Sequence, residues 1–391
     1  MSNLPASNLN GVFPAVSDFR ARARKRIPHF AMEFLEAGTG QDQTVSRNAA
    51  DLAAVQLSPR ALRGPIKRDL STEFLGQSFD VPFGIAPVGG GGMIWPGGER
   101  LLAELAALQN LPYTLASVAT QTPETIGPLA KGKGWFHLYP MADKEIQADV
   151  LRRAASAGFD TLVVTVDVPI MSRRERQARA GFQMPPRLTL RMLAQALANP
   201  HWTAAMLRVG QPKLATLVPY FDDVPAPKRM GEIGRQLHPE SDWGELARIR
   251  DQWSGKIILK GIMHPEDAKR AFKDGADAIW VSNHGGRQLD AAPSSISVLP
   301  DIRAAVGPEA QVLFDSGVRS GLDIARALAS GADFVMLGRP FFYALAAGGQ
   351  PAAQHCIQIL REELENVLAQ VGAARPADLP TTLWTKQEGT E

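Results

Sequence analysis

Eight short apolar runs alternate with amphipathic helical patterns, and polar side chains gather at the C-terminal ends of those runs; together these predict an α/β chain folded as a (β/α)8 TIM barrel. The runs are 83–87, 112–116, 136–139, 161–167, 256–260, 278–282, 311–315 and 334–338. Each has the length of a strand buried on both faces. Between them, Leu101, Leu105 and Leu108 are expected on one helix face, as are Val150, Ala154 and Ala155, then Ala268 and Phe272, then Ile324 and Leu328. A doubly wound sheet is the rival. The glycines at 89–92 after the first run lack G-x-G-x-x-G spacing, however, and no acidic residue closes a second strand about 20 residues on.

The barrel is read as a single domain over 1–391, with a preamble at 1–80 and an excursion at 175–245. Residues 1–15 are polar. From 16 to 35 the pattern is helical, with Phe19, Phe30, Phe34 and Leu35 among charges, ending near Gly38. Residues 39–80 give no clear pattern. The gap between the fourth and fifth runs is far longer than a normal connection and must hold an excursion. Within it, 187–221 carries Leu188, Leu190, Met192, Leu193, Leu197, Trp202, Met206 and Leu207 beside Arg187, Arg191, Arg208 and Lys213, with no acid before Asp222. Apolar helical faces are usually buried, so a lid over the site is the reading adopted. Peripheral contact with an anionic membrane surface is the alternative. Ile357, Leu360, Leu364 and Leu368 mark a last helix over 350–371.

The bulk properties exclude several classes. A net charge of +2 gives no case for a nucleic-acid binder. The one cysteine, Cys356, rules out an intrachain disulfide and fits a reducing, cytoplasmic compartment. The N-terminus shows no signal-peptide pattern, and no apolar run is long enough to span a bilayer. No metal is expected.

The chemistry centres on Ser282-Asn283-His284-Gly285-Gly286-Arg287-Gln288-Leu289-Asp290, at the end of the sixth run. Histidine is the usual general base near neutral pH. The arginine fork matches a carboxylate through two parallel hydrogen bonds. The glycines allow a tight turn and close ligand approach. His284 and Arg287 therefore suggest an acid held by its carboxylate while a nearby proton is removed. Other strand ends bring Pro87, Val88, Gly89, Ser117, His137, Tyr139, Thr165 and Asp167 to the same mouth. The seventh and eighth ends, Asp315-Ser316-Gly317-Val318-Arg319 and Gly338-Arg339, lie where barrels often bind phosphate. Lys260 closes an apolar strand and calls for an anionic partner.

The 282–290 stretch resembles the signature of the FMN-dependent 2-hydroxy-acid oxidase and dehydrogenase family, which includes glycolate oxidase, L-lactate dehydrogenase and mandelate dehydrogenase. The resemblance runs from about Ile27 to about Gly372. It implies FMN as cofactor, a small 2-hydroxy acid as substrate and a homotetramer. Electrons would pass from the flavin to a quinone, oxygen or another carrier. It implies that His284, paired with Asp167, takes the substrate proton, that Arg287 and Arg174 hold the carboxylate, and that Tyr139 orients the hydroxyl. Lys260 would sit by the flavin N1 and C2 carbonyl, and Arg319 and Arg339 by the phosphate. Three positions depart from the family. His137 stands for a flavin-contacting Gln, Phe34 for a Tyr that helps bind the carboxylate, and Ala116 for a Ser, with Ser117 adjacent. Val118 stands where glycolate oxidase has a Trp, leaving room for a substrate larger than glycolate. The expected activity is oxidation of a lactate- or mandelate-like L-2-hydroxy acid. A divergent substrate of the same barrel, or a flavin-binding protein without catalysis, are the alternatives.

Overall fold

The computed structural model describes residues 9–182, 189–237 and 241–384. Eight parallel strands close into a barrel in which each strand pairs with the next and the last with the first. They are β1 (Phe83–Ile85), β2 (Tyr113–Ala116), β3 (Gly134–Leu138), β4 (Thr161–Thr165), β5 (Lys256–Ile262), β6 (Ala278–Val281), β7 (Val312–Phe314) and β8 (Phe334–Leu337). All fall within the expected runs or within two residues of them.

Strand side chains alternate between two faces, and in a barrel one face looks inward. Trp135, Val163, Ile258, Ala278, Trp280, Leu313, Phe334 and Met336 form one buried apolar cluster inside the barrel. Counting on in steps of two from these residues reaches His137 and Tyr139, Thr165 and Asp167, Lys260, Ser282 and His284, Asp315, and Gly338. The inward face is thus dry at its lower end and polar at the C-terminal mouth. Lys260 confirms this stacking, with its Nζ 5.3 Å above the Trp280 ring.

The stretch 39–80, unreadable from pattern, supplies two working parts. A hairpin, Thr72–Phe74 with Gln77–Phe79, carries Phe74 and Phe79 into the N-terminal end of the barrel against Trp135 and Phe334. Helix Gln43–Ala54 places Asn48 against Asn283 in two reciprocal amide hydrogen bonds, of 2.8 and 2.7 Å, both buried. These bonds clamp the loop after β6.

Two expected helix faces are corrected. In helix Gly98–Leu108 the buried apolar side chains are Leu102, Ala103, Leu105 and Ala106, and Leu108 lies 67% exposed, because the helix packs one position round from the Leu101–Leu105–Leu108 stripe. In helix Lys144–Ser156, Val150 and Ala154 are buried and Ala155 is exposed. The last helix begins earlier than expected, at Arg339. It runs to Val371 across a kink at Gly349, where φ is +72° and Pro351 follows two residues on.

The excursion contains helices Glu175–Arg179, Leu190–Leu197, Pro200–Val209 and Ala226–Gln236. Arg187 and Leu188 lie outside the described residues. Met192 and Trp202 are buried, and the Trp202 indole donates to the Met93 carbonyl at 3.2 Å. Leu190, Leu193, Leu197 and Leu207 instead face outward, 57% to 86% exposed.

Candidate active site

A cavity of about 620 Å³ opens at the C-terminal mouth of the barrel. His284 sits in its wall with a left-handed φ of +58°, a conformation that L-residues other than glycine adopt uncommonly. The sharp turn after β6 enforces it. The His284 amide donates to Ser282 Oγ at 3.1 Å, and Asn283 accepts from the Gly286 amide at 3.1 Å. On the ring, Nδ1 lies 3.1 and 3.2 Å from the two Asp167 oxygens, and Nε2 lies 3.3 Å from the Tyr139 hydroxyl. The carboxylate fixes the tautomer with hydrogen on Nδ1. That leaves the Nε2 lone pair toward Tyr139 and the cavity.

The electrostatics suit a base. Burial lowers His284 below the usual 6.5, with Asp167 pulling the other way, so the ring is neutral near pH 7. Asp167 lies below the usual carboxyl range: burial alone would raise it, but His284 and Lys260 together outweigh that. Tyr139 is pushed up to about 12, first by burial and then by Asp167, and keeps its hydroxyl proton.

Asp167 depends on a β-bulge. The register of β5 against β6 shifts between Lys260 and Ile262, and Gly261 there has φ of +106°. A Cβ on Gly261 would lie 2.5 Å from the Asp167 Cβ. Gly261→Ala is therefore expected to cost about 1–3 kcal/mol of stability through backbone strain and to displace the carboxylate. Thermal unfolding combined with the rate of flavin reduction checks this; an unchanged rate would show that Asp167 can shift without consequence.

Of the four arginines that line the cavity, Arg174, Arg287 and Arg339 are the ones that burial depresses. Arg287 donates to the carbonyls of Phe34 (3.1 and 3.0 Å) and Leu35 (3.3 Å), and Arg339 to those of Leu35, Glu36 and Gly285. The carbonyls of 34–36 end helix His29–Glu36, the negative pole of its dipole. Arg174 Nε donates to Ser172 Oγ at 3.2 Å. Burial lowers all three; Arg174 and Arg339 add to the effect on Arg287, which lies well below its usual value, and Arg339 falls to about 10. Cations depressed by burial and by one another mark a site short of negative charge.

The remaining predicted residues divide into wall and support. Phe34, Pro87, Val88, Gly89, Val118, His137, Tyr139, Arg174, Lys260, Asp315, Ser316, Gly317, Val318, Arg319, Gly338 and Arg339 line the cavity with His284 and Arg287. Ser117, Thr165 and Ser282 stand behind it. The Ser117 hydroxyl accepts from the Tyr139 amide, Thr165 Oγ1 meets His137 Nε2 at 2.9 Å, and Ser282 accepts from Lys260 Nζ at 2.8 Å. Lys260 Nζ also lies 3.5 Å from Asp315. The sequence reading missed Met93, Met171, Phe182, Leu214 and Leu237, which make one side of the cavity apolar. Of these only Leu214 falls within the apolar segment 187–221.

These residues fit flavin mononucleotide. His137 Nδ1, buried in the wall, has no partner in the protein, which suits the hydrogen-bonding edge of a flavin. Burial, Lys260 and His284 keep that ring neutral, well below 6.5. Arg319, Arg339 and the first turn of helix Arg339–Val371 stand together as a phosphate site would require.

A neutral, carboxylate-backed imidazole facing uncompensated arginines at a barrel mouth defines an oxidoreductase-type site for an acid substrate and a phosphorylated cofactor. Residues 23–386 match the family model described as FMN-dependent dehydrogenase. An L-lactate dehydrogenase of Ectopseudomonas mendocina (strain ymp) is 38% identical over 378 residues, 96% of this chain and 100% of that one. Another from Xanthomonas axonopodis pv. citri is 39% identical over 94% of this chain and 95% of that one. Among solved structures, a monotopic membrane protein, (S)-mandelate dehydrogenase, superposes with a TM-score of 0.90 at 33% identity, covering 95% of this chain and 99% of that one. A mandelate oxidase does so at 0.80 and 31%, over 94% and 97%. The chain belongs to the FMN-dependent dehydrogenase family, whose cofactor is FMN.

Proposed function

We propose that this protein oxidises an L-2-hydroxy acid with an apolar side chain to the 2-oxo acid. The observation that carries this reading is His284, held neutral against Asp167, facing the buried guanidiniums of Arg287 and Arg174. The arginines take the carboxylate. The Tyr139 hydroxyl, fully protonated, donates toward the substrate oxygen. His284 Nε2 takes a proton, and Asp167 stabilises the resulting imidazolium. Bound FMN supplies the two-electron acceptor. Lys260, His137 and the Pro87-Val88-Gly89 turn would hold its ring, with Ser117, Thr165 and Ser282 in support, while residues 315–319, Gly338 and Arg339 would hold its phosphate end. Phe34, which packs 5.2 Å from Phe182, gives an apolar surface where the resembled family carries a hydroxyl.

The deciding test is anaerobic. L-lactate, L-mandelate and longer 2-hydroxy acids are added singly while the flavin absorbance is followed. Bleaching by one or more is expected, fastest with the larger apolar side chains; no bleaching by any would overturn the reading. The pH profile of the bleaching rate should fall on its acid limb below pH 6.5, because burial lowers His284. Asp167→Asn removes the group that raises His284, so its acid limb should move lower still while the rate drops.

The membrane reading is favoured by the exposed row Leu190, Leu193, Leu197 and Leu207, flanked by Arg191 and Arg208. Among the described residues no helix is long and apolar enough to cross a membrane, so the contact would be peripheral. An acceptor of quinone type dissolved in the bilayer fits that placement, and rapid reoxidation by added quinone, against slow reoxidation by air, tests it. The triple variant Leu193→Ser, Leu197→Ser, Leu207→Ser should lower co-sedimentation with phosphatidylserine vesicles by on the order of a hundredfold, given the transfer energies of leucine. Equal sedimentation would return the segment to a lid. A homotetramer is the assembly proposed, checked by light scattering.

A further inference from the structure

Glu99, the second residue of helix Gly98–Leu108, is 1% exposed and takes no part in the chemistry above. The groups holding its carboxylate are N–H and O–H donors rather than cations. The Thr120 amide lies 3.0 Å from each oxygen, the Thr120 hydroxyl donates to Oε2, and the amides of Gly91 and Gly92 complete the set. These donors come from two different loops. Gly91 and Gly92 follow β1, and Thr120 follows β2. The two loops also bond each other, the Gly90 amide donating to the Val118 carbonyl at 2.9 Å, and the excursion joins them through the Ala215 amide, which donates to the Ala119 carbonyl at 3.1 Å.

The three segments meeting here carry Gly90 and Met93, Val118, and Leu214, the apolar side of the cavity. The glycine run after β1 is explained by the same contact. A Cβ on Gly92 would sit 2.2 Å from Thr120 Oγ1, and one on Gly91 3.0 Å from Glu99 Oε1. Only glycine lets both loops close on one carboxylate.

We propose that Glu99 is a positioning residue for the apolar wall, so that the fit of the substrate side chain, and not the grip on its carboxylate, depends on it. This rests on the functional reading above. Burial lifts Glu99 to about 7, against the four donors, so both protonation states are populated near neutrality. Tyr113 of β2 is the titratable group that faces it; its hydroxyl is driven up by burial and by Glu99 and stays neutral. Thr120, Gly91, Gly92 and the apolar Phe342 are its other neighbours. The ionised form accepts from every donor. The protonated form returns one hydrogen bond to Thr120 Oγ1, and Glu99→Gln imitates it, with an amide nitrogen in place of the acid O–H.

The test uses FMN-loaded protein and two ligands that cannot be oxidised there, read by perturbation of the flavin spectrum. Phenylglyoxylate carries an aryl group to the wall; oxalate carries only carboxylates. Glu99→Ala should weaken phenylglyoxylate by about tenfold and oxalate by less than about twofold, on the scale of one charge-assisted hydrogen bond. Glu99→Gln should match the wild type below pH 7 and bind phenylglyoxylate more weakly above it. FMN content and thermal midpoint are measured for each variant. Equal weakening of both ligands would show a general loss of structure, and Glu99→Gln tracking the wild type at every pH would remove the carboxylate from the argument; either overturns the proposal. A wild type that binds neither ligand would sink the functional reading itself.

Discussion

His284→Gln should slow anaerobic flavin bleaching by about 10²–10⁴-fold while FMN stays bound, the usual range for removing a general base. Glutamine can still hydrogen-bond Asp167 but cannot take a proton at neutral pH. FMN retention is expected because the His284 side chain meets Tyr139 and Asp167, whereas the loops proposed to hold the phosphate lie after β7 and β8. The left-handed backbone at residue 284 raises the separate danger of strain. His284→Asn is the matched control, since asparagine tolerates that conformation better. Both variants should lose rate alike whatever their thermal midpoints. A variant that folds, holds FMN and bleaches at the wild-type rate would exclude His284 as the base.

Arg287→Met should weaken substrate binding by about 30- to 3,000-fold, while the limiting bleaching rate falls much less. Removing one partner of a buried, hydrogen-bonded charge pair costs about 2–5 kcal/mol, and each 1.4 kcal/mol is about tenfold. The effect falls on binding because a carboxylate is gripped equally before and during reaction. The free protein loses little by comparison, since the Arg287 partners there are the Phe34 and Leu35 carbonyls at a helix end, which Met leaves to other donors. Arg287→Lys should fall between, keeping the charge but not the fork. A dissociation constant within twofold of wild type would place the carboxylate elsewhere.

The barrel and most of the mouth are legible because a strand buried on both faces reads as a short continuous apolar run, with polar residues where it ends. A buried apolar run followed by a polar residue of the same parity, as in Ile258 then Lys260, is visible without coordinates. The 282–290 stretch is legible because its His, glycines and Arg stand together in one local motif. The apolar wall was not. Met93 comes from the connection after β1 and Phe182, Leu214 and Leu237 from distant parts of the one after β4, and nothing local marks a residue that will meet a distant one. Glu99 was invisible too, since an acid in the first turn of a helix is the commonest place to find one. Asn48 fell in a stretch without pattern, because its role is a single pair of side-chain amide bonds. The expected burial of Leu108 failed because a three-residue stripe leaves a helix free to rotate by one position.

The Asn48–Asn283 clamp has a temporal consequence. Its two residues stand 235 positions apart in the chain, so the turn after β6 is held by a long-range contact. Such contacts form late, after the loop-closure entropy of the intervening chain has been met. During synthesis the preamble must wait, with its partner face bare, until β6 and the turn beyond it have left the ribosome. The turn that carries His284 therefore gains this support only after most of the chain has been made.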